Sequence, residues 1–200
     1  MSAMTDIRPL DRRALEVTEA IVDQVQPDQL GLPTPCAQWS LRQLLAHMAG
    51  QNHGFAAAAD GEVSDESVWA DRPVDDDPAG VFRASSRRVT AAFAREGVLD
   101  GEFWLPQVRG GQMFPARTAI GFHFVDYVVH GWDVAATLSI PAPFDEETLT
   151  AVLPYVEEVP DGPNRRAPDA SFRPALPVRD GGPLLDRVLA LLGRSPKWPA

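Results

Sequence analysis

Apolar residues recur at helical spacing through most of the first 160 positions, and proline and glycine mark the breaks. Leu10, Ala14, Val17, Ile21 and Val25, interleaved with Asp11, Arg12, Arg13, Glu16, Glu19 and Asp23, predict an amphipathic first helix that Pro27 ends. Ser40 followed by Gln43 forms a capping box, so a second helix is expected from Leu41 to about Asp60, with Leu41, Leu44, Leu45, Met48 and Phe55 inward. His47 borders that face, whereas His53 lies further round and reads as exposed. A polar loop with one aromatic, Trp69, leads to a third helix from Pro78 to about Glu96. Gly97 to Pro115 reads as a short hairpin around Gly110-Gly111. A fourth helix is expected from about Arg117 to Leu138, and a fifth follows Asp145. Pro154 should kink or end the fifth. Beyond Pro160 the chain is irregular, with a strand expected around Phe172 to Val178 and a short closing helix that stops at Gly193. The expected fold is mainly all-α: a four-helix bundle over residues 1–160 with a hairpin excursion, and a small extension, 161–200, packed on it.

The fourth helix departs from ordinary patterning. Thr118 to Phe144 holds no Lys, Arg, Glu or Gln, so its only full charges are Asp126 and Asp133. At about 3.6 residues per turn, His123, Asp126, Tyr127, His130 and Asp133 share one side. A surface helix fills its wet face with Lys, Glu and Arg; this one carries imidazoles, carboxylates and a phenol. Asp126 and His130 stand four apart, a spacing that suits two ligands of one metal ion. A solvated stripe or a buried His–Asp hydrogen bond accounts for the same residues. His47, on a facing helix, supplies a third donor to the metal reading; otherwise it is a half-buried histidine bonded to a neighbour. Three protein ligands leave open positions, which marks a reactive site.

Composition narrows the partners. The 200 residues carry a formal net charge of −10, and no basic patch offers itself to nucleic acid. No apolar run is long enough to span a bilayer, and no secretory signal opens the chain, so a cytoplasmic protein is expected. The single cysteine, Cys36, fits a reducing compartment and reads as a small apolar filler, too far before the second helix for a strong dipole effect. HExxH, CxxC pairs, a P-loop, a dinucleotide fingerprint and a nucleophile elbow are all missing. Arg83 on the third helix and Arg109 in the hairpin, with Trp39 and Trp104, are the candidate substrate contacts.

Three stretches together resemble one family: Thr34-Pro35-Cys36-Ala37-Gln38-Trp39, leading through Leu44-Leu45-Ala46-His47; Asp126-Tyr127-Val128-Val129-His130-Gly131-Trp132-Asp133; and Leu184-Leu185-Asp186-Arg187 through Gly193-Arg194-Ser195-Pro196-Lys197-Trp198. They are similar to the actinobacterial metal-binding proteins of the DinB-like superfamily, related to the N-terminal domain of mycothiol-dependent maleylpyruvate isomerase. The resemblance implies a DinB-like four-helix bundle holding a divalent metal, zinc or nickel, through His47, Asp126 and His130. It also implies mycothiol or a similar low-molecular-weight thiol as co-substrate, with a small electrophile as its partner, in an S-transferase or isomerase reaction. The mycothiol isomerase carries Glu where this chain has the shorter Asp126. His123 is an addition, open as a base, a fourth ligand or a support to the ligands. Two other functions stand beside the enzyme: a non-catalytic metal- or small-ligand-binding bundle, and a metal-free bundle whose Asp126–His130 pair sits in a homodimer interface.

Overall fold

The computed structural model describes residues 6–36, 39–75, 77–108, 110–167, 170–178 and 181–199. Six helices form: α1 (Arg8–Val22), α2 (Leu41–Ala59), α3 (Pro78–Phe93), α4 (Ala116–Leu138), α5 (Glu146–Glu157) and α6 (Leu184–Leu191). A two-stranded hairpin, β1 (Glu102–Leu105) and β2 (Gln112–Pro115), lies between α3 and α4. The expected capping box is present at Ser40 and Gln43, and Asp77 caps α3 by accepting from the Gly80 amide at 2.8 Å. Phe103 pairs with Phe114 and Trp104 with Met113. Gly110 and Gly111 both take positive φ, the left-handed conformation the turn requires.

α4 is the centre of the bundle, with 17 of its 23 residues buried, which is why its sequence from Thr118 onward lacks long charged side chains. Its most extensive partner is α1, while α2 pairs with α3 and meets α4 less extensively. The α1–α4 crossing is close because Gly131 has no side chain: a Cβ there would lie 2.4 Å from Thr18 Oγ1. That hydroxyl lies within reach of two carbonyls, Ala14 O at 2.9 Å and Tyr127 O at 3.0 Å. Tyr127, fully buried, donates to the Met48 carbonyl at 2.6 Å and ties α4 to α2. Tyr127→Phe should therefore cost about 1 kcal/mol, one net hydrogen bond, read as a shift in urea midpoint with unchanged slope.

Two expectations about local structure need correction. α5 continues through Pro154 to Glu157, so the proline neither ends it nor stops its apolar face: Leu149, Val152 and Val156 are all buried. No strand forms over 172–178; that segment runs irregularly, held by the Leu176 amide on the Ala190 carbonyl at 2.8 Å. Trp69, the one aromatic of the α2–α3 connection, is buried against Gly54 and Phe55. The extension beyond 160 is pinned by buried Arg165, which donates to the carbonyls of Val159 (2.9 Å), Pro160 (2.9 Å) and Leu191 (2.6 Å). Among the described residues no helix is long and apolar enough to cross a membrane.

Candidate functional site

The polar side of α4 divides into two separate clusters. At its N-terminal end, His123 is fully buried, with Nδ1 2.6 Å from Asp11 Oδ1 of α1 and Nε2 3.1 Å from Asn52 Oδ1 of α2. Asn52 Nδ2 donates to Ser85 Oγ of α3 at 2.9 Å, so one polar chain links all four bundle helices. Phe55 and Phe93 pack edge-on against the His123 ring. With both nitrogens engaged there, His123 is not brought to His130, and its expected role as ligand or base gives way to a place in the core.

Two turns further on, His130 sits between two groups of partners. On its Nδ1 side, Asp133 Oδ2 lies at 2.9 Å and Cys36 Sγ at 3.8 Å. Arg194, from the turn after α6, donates through Nε to Asp133 Oδ1 at 3.0 Å, and through Nη2 to Asp133 Oδ2 at 3.2 Å and Cys36 Sγ at 2.8 Å. Cys36 Sγ lies 3.2 Å from Asp133 Oδ2. Cys36 is therefore a polar partner rather than an apolar filler. Local structure explains how these residues meet. Thr34 Oγ1 accompanies the carbonyls of Cys36 and Trp39 at 3.1 and 2.9 Å, and fixes the connector before α2. Gly193, at φ 74°, turns the chain after α6 so that Arg194 enters the core at 4% exposure.

On the Nε2 side, Asp126 Oδ1 lies at 3.4 Å. The His47 ring of α2 stands edge-on to His130 with ring centres 6.0 Å apart, and Trp39 packs over His47 at 4.5 Å. His47 Nδ1 faces Asp71 Oδ1 at 3.5 Å. Burial lowers the His47 pKa below the ordinary imidazole value, and the neighbouring His130 adds to the effect against Asp126 and Asp71. For His130 burial acts in the same direction, but Asp126, Cys36 and the Asp133 hydrogen bond outweigh it and raise its pKa well above the ordinary value. Burial also opposes ionised Asp133, yet Arg194 and His130 keep its pKa below the usual carboxylate range.

Two donor sets share His130. Cys36 Sγ, His130 Nδ1 and an Asp133 oxygen lie within 4.8 Å of one another and could hold a metal ion. Among the described residues this is the set of three that meets that spacing. The other set is His47, Asp126 and His130 Nε2. The ring centres of His47 and His130 stand 6.0 Å apart, wider than the roughly 5.2 Å at which two imidazoles on one tetrahedral zinc-like ion would stand, so this set would have to draw together to close on an ion, and its donor atoms do not meet the spacing that the first set meets.

Arg83 pairs with Asp23 at 2.6 Å and Glu19 at 3.9 Å on α1. Trp104 sits half-buried in β1, and Arg109 lies outside the described residues. His53 is half-buried rather than exposed, its pKa lowered by burial and by Arg72 and Arg88. Among the described contacts Trp39 borders the cluster. Cys36, Asp133 and Arg194 were the residues missed. Each lies in one of the three motif stretches, and Asp133 stands three residues after His130, but no local pattern announces that they meet.

Comparison with known proteins agrees with this architecture. The chain is 29% identical over 189 residues to two uncharacterized Mycobacterium tuberculosis proteins, Rv0738 (strain ATCC 25618 / H37Rv) and MT0763 (strain CDC 1551 / Oshkosh), covering 92% of this chain and 95% of each relative. Its fold superposes on the crystal structure of the mycothiol-dependent maleylpyruvate isomerase with a TM-score of 0.65 at 16% identity, over 94% of this chain and 88% of that one. A histidine-to-alanine mutant of that enzyme gives a TM-score of 0.61 at 15% identity, over 92% and 86%. Residues 12–135, more than half of the chain and including every residue of the cluster except Arg194, match the mycothiol maleylpyruvate isomerase N-terminal domain family, and the chain belongs to that family.

Proposed function

We propose that this protein holds one divalent ion through His47, Asp126 and His130 and uses it in a thiol-dependent S-transfer or isomerisation of a small electrophile. The observation that carries the choice of ligands is the arrangement around His130. Its Nδ1 side is already filled by Asp133, which can only accept, and Asp133 and Cys36 are both bound to a buried guanidinium. A cation placed among Cys36, His130 and Asp133 would have to sit against Arg194 or displace it. The same contacts orient His130 so that Nε2 faces Asp126, with Asp133 on Nδ1 as the carboxylate–histidine support that metal sites commonly use. His47, kept neutral by burial, presents a nitrogen lone pair at physiological pH. Asp71 at Nδ1 favours the tautomer with Nε2 free.

A zinc- or nickel-like ion there would supply Lewis acidity, which favours the thiolate form of a small thiol. The chain's own contribution is positional. Trp39 packs over the His47 ring, and Asp133 holds His130 at Nδ1, so that Nε2 would be the nitrogen offered to an ion. Kinship with a mycothiol-dependent family supports a thiol as co-substrate.

Elemental analysis of the untagged protein tests this reading. About one metal per chain is expected, lost in His47→Ala and Asp126→Ala and retained in Cys36→Ser. Loss in Cys36→Ser with retention in His47→Ala would move the ion to the Cys36 side. Metal without thiol-transfer turnover, using mycothiol and a panel of electrophiles, would reduce the protein to a binder.

A further inference from the structure

Arg194 reaches the site from beyond the family match, which ends at residue 135. Its place is fixed at both ends. The backbone is set where α6 closes: the Gly193 amide donates to the Ala190 carbonyl at 3.0 Å and the Arg194 amide to the Leu189 carbonyl at 2.9 Å. This turn is pressed against the irregular segment before α6, since a Cβ at Gly193 would lie 2.5 Å from the Arg173 carbonyl. Arg165 ties the two pieces together, donating to the Leu191 carbonyl at 2.6 Å and the Arg173 carbonyl at 3.3 Å. At the other end, the buried guanidinium lies on Asp133, which is fully buried on α4.

The contact with Asp133 is directional. Nε donates to Oδ1 at 3.0 Å and Nη2 to Oδ2 at 3.2 Å, a two-point fork that fixes the plane of the carboxylate as well as compensating its charge. Oδ2 is thereby aimed at His130 Nδ1, 2.9 Å away. Cys36 Sγ, 3.2 Å from that oxygen and 2.8 Å from Nη2, closes the ring of contacts. Stability alone does not call for this arrangement, because a buried ion pair carries a desolvation cost that well-packed apolar side chains avoid. An apolar pair would fill the space but could not hold an acceptor at Nδ1. A carboxylate on the outer nitrogen of a ligating histidine sets the stance of the ring and the nitrogen it offers.

We infer that Arg194 is a positioning residue for the metal centre: through the Asp133 carboxylate it sets the orientation of His130, so the C-terminal extension completes a site whose ligands lie on α2 and α4. The inference rests on the metal reading above, with His130 offering Nε2. Docking of the extension then becomes a condition of tight metal binding as well as of stability.

Cobalt(II) titration of the metal-free full chain, followed by its visible d–d bands, tests this beside urea unfolding of the same proteins. Arg194→Lys keeps a cation but not the fork, and cobalt affinity should fall about tenfold. Arg194→Met with Asp133→Leu removes both buried charges; it should regain stability yet still bind cobalt about tenfold more weakly than the parent. Asp11→Ala, which weakens the core away from His130, should lose stability but keep the parent's affinity and bands when titrated folded at low temperature. Affinity within about twofold of the parent, in Arg194→Lys or in the double variant, would overturn the inference. So would affinity that only tracks stability across the three variants. A thiolate-to-cobalt charge-transfer band in the parent would place the ion on the Cys36 side, where Arg194 competes with it, and would overturn the inference as well. A parent that takes up no cobalt ends the metal reading and this inference together, whereas equal binding by parent and variants ends this inference alone.

Discussion

Arg194→Ala is expected to lower unfolding stability by about 3–5 kcal/mol, because it leaves Asp133 charged, fully buried and without its main partner. Arg194 makes two donations to Asp133 and one to Cys36, and it does so from the C-terminal extension, which the rest of the bundle meets chiefly through α5. Urea unfolding monitored by far-UV circular dichroism measures the loss. Joint replacement, Arg194→Met with Asp133→Leu, should recover much of it, since removing both charges leaves no orphan. If the single variant loses less than about 1 kcal/mol, the level of an ordinary exposed pair, the ion pair does not fasten the extension.

The pH dependence follows from the same pair. The folded-state pKa of Asp133 lies below its unfolded value, so its contribution is complete above the ordinary carboxylate range and is lost as pH falls through the lowered value. Without Arg194 that depression shrinks, and the acid unfolding midpoint of the Arg194→Ala variant should move to higher pH.

Asp11→Ala is the second large effect, with about 3 kcal/mol expected from stripping a buried imidazole of its partner. His123 would be left with Nδ1 unpaired at zero exposure, walled by Phe55 and Phe93. Because the Asp11–His123–Asn52–Ser85 chain draws one residue from each bundle helix, the loss should spread over the whole cooperative transition rather than fray α1 alone. Metal content separates this structural role from a ligand role. His123→Leu should unfold more easily yet retain its full metal complement once folded at low temperature; a fall in stoichiometry would return His123 to the ligand set.

Much of the fold was legible in local pattern. Helix α2 begins at the residue its capping box indicates, because Ser40 and Gln43 are sequence neighbours whose hydrogen bonds need no distant partner. The hairpin turns at Gly110-Gly111 because only a residue without Cβ enters that conformation freely. Pro154 was misjudged for the opposite reason: the apolar face that α5 lays on the bundle through Val152 and Val156 outweighs one missing backbone donor.

What the sequence by itself determined was therefore the set of helices, the central place of α4, and the unusual polar side chains that α4 carries. It also placed Asp126 and His130 as neighbours, since helical pitch fixes residues four apart. Tertiary structure alone decided which of those polar groups meet. His123 and His130 lie on the same side of α4, yet one is bound to Asp11 and Asn52 and the other to Asp133, Cys36 and Asp126. Cys36 and Arg194 are 158 positions apart, and the distance between them closes only when the α2 connector and the turn after α6 both pack on α4. Helical periodicity specifies which face a side chain leaves from, whereas its partner is set by how the helices pack, and this is the physical reason the second cluster could not be read in advance.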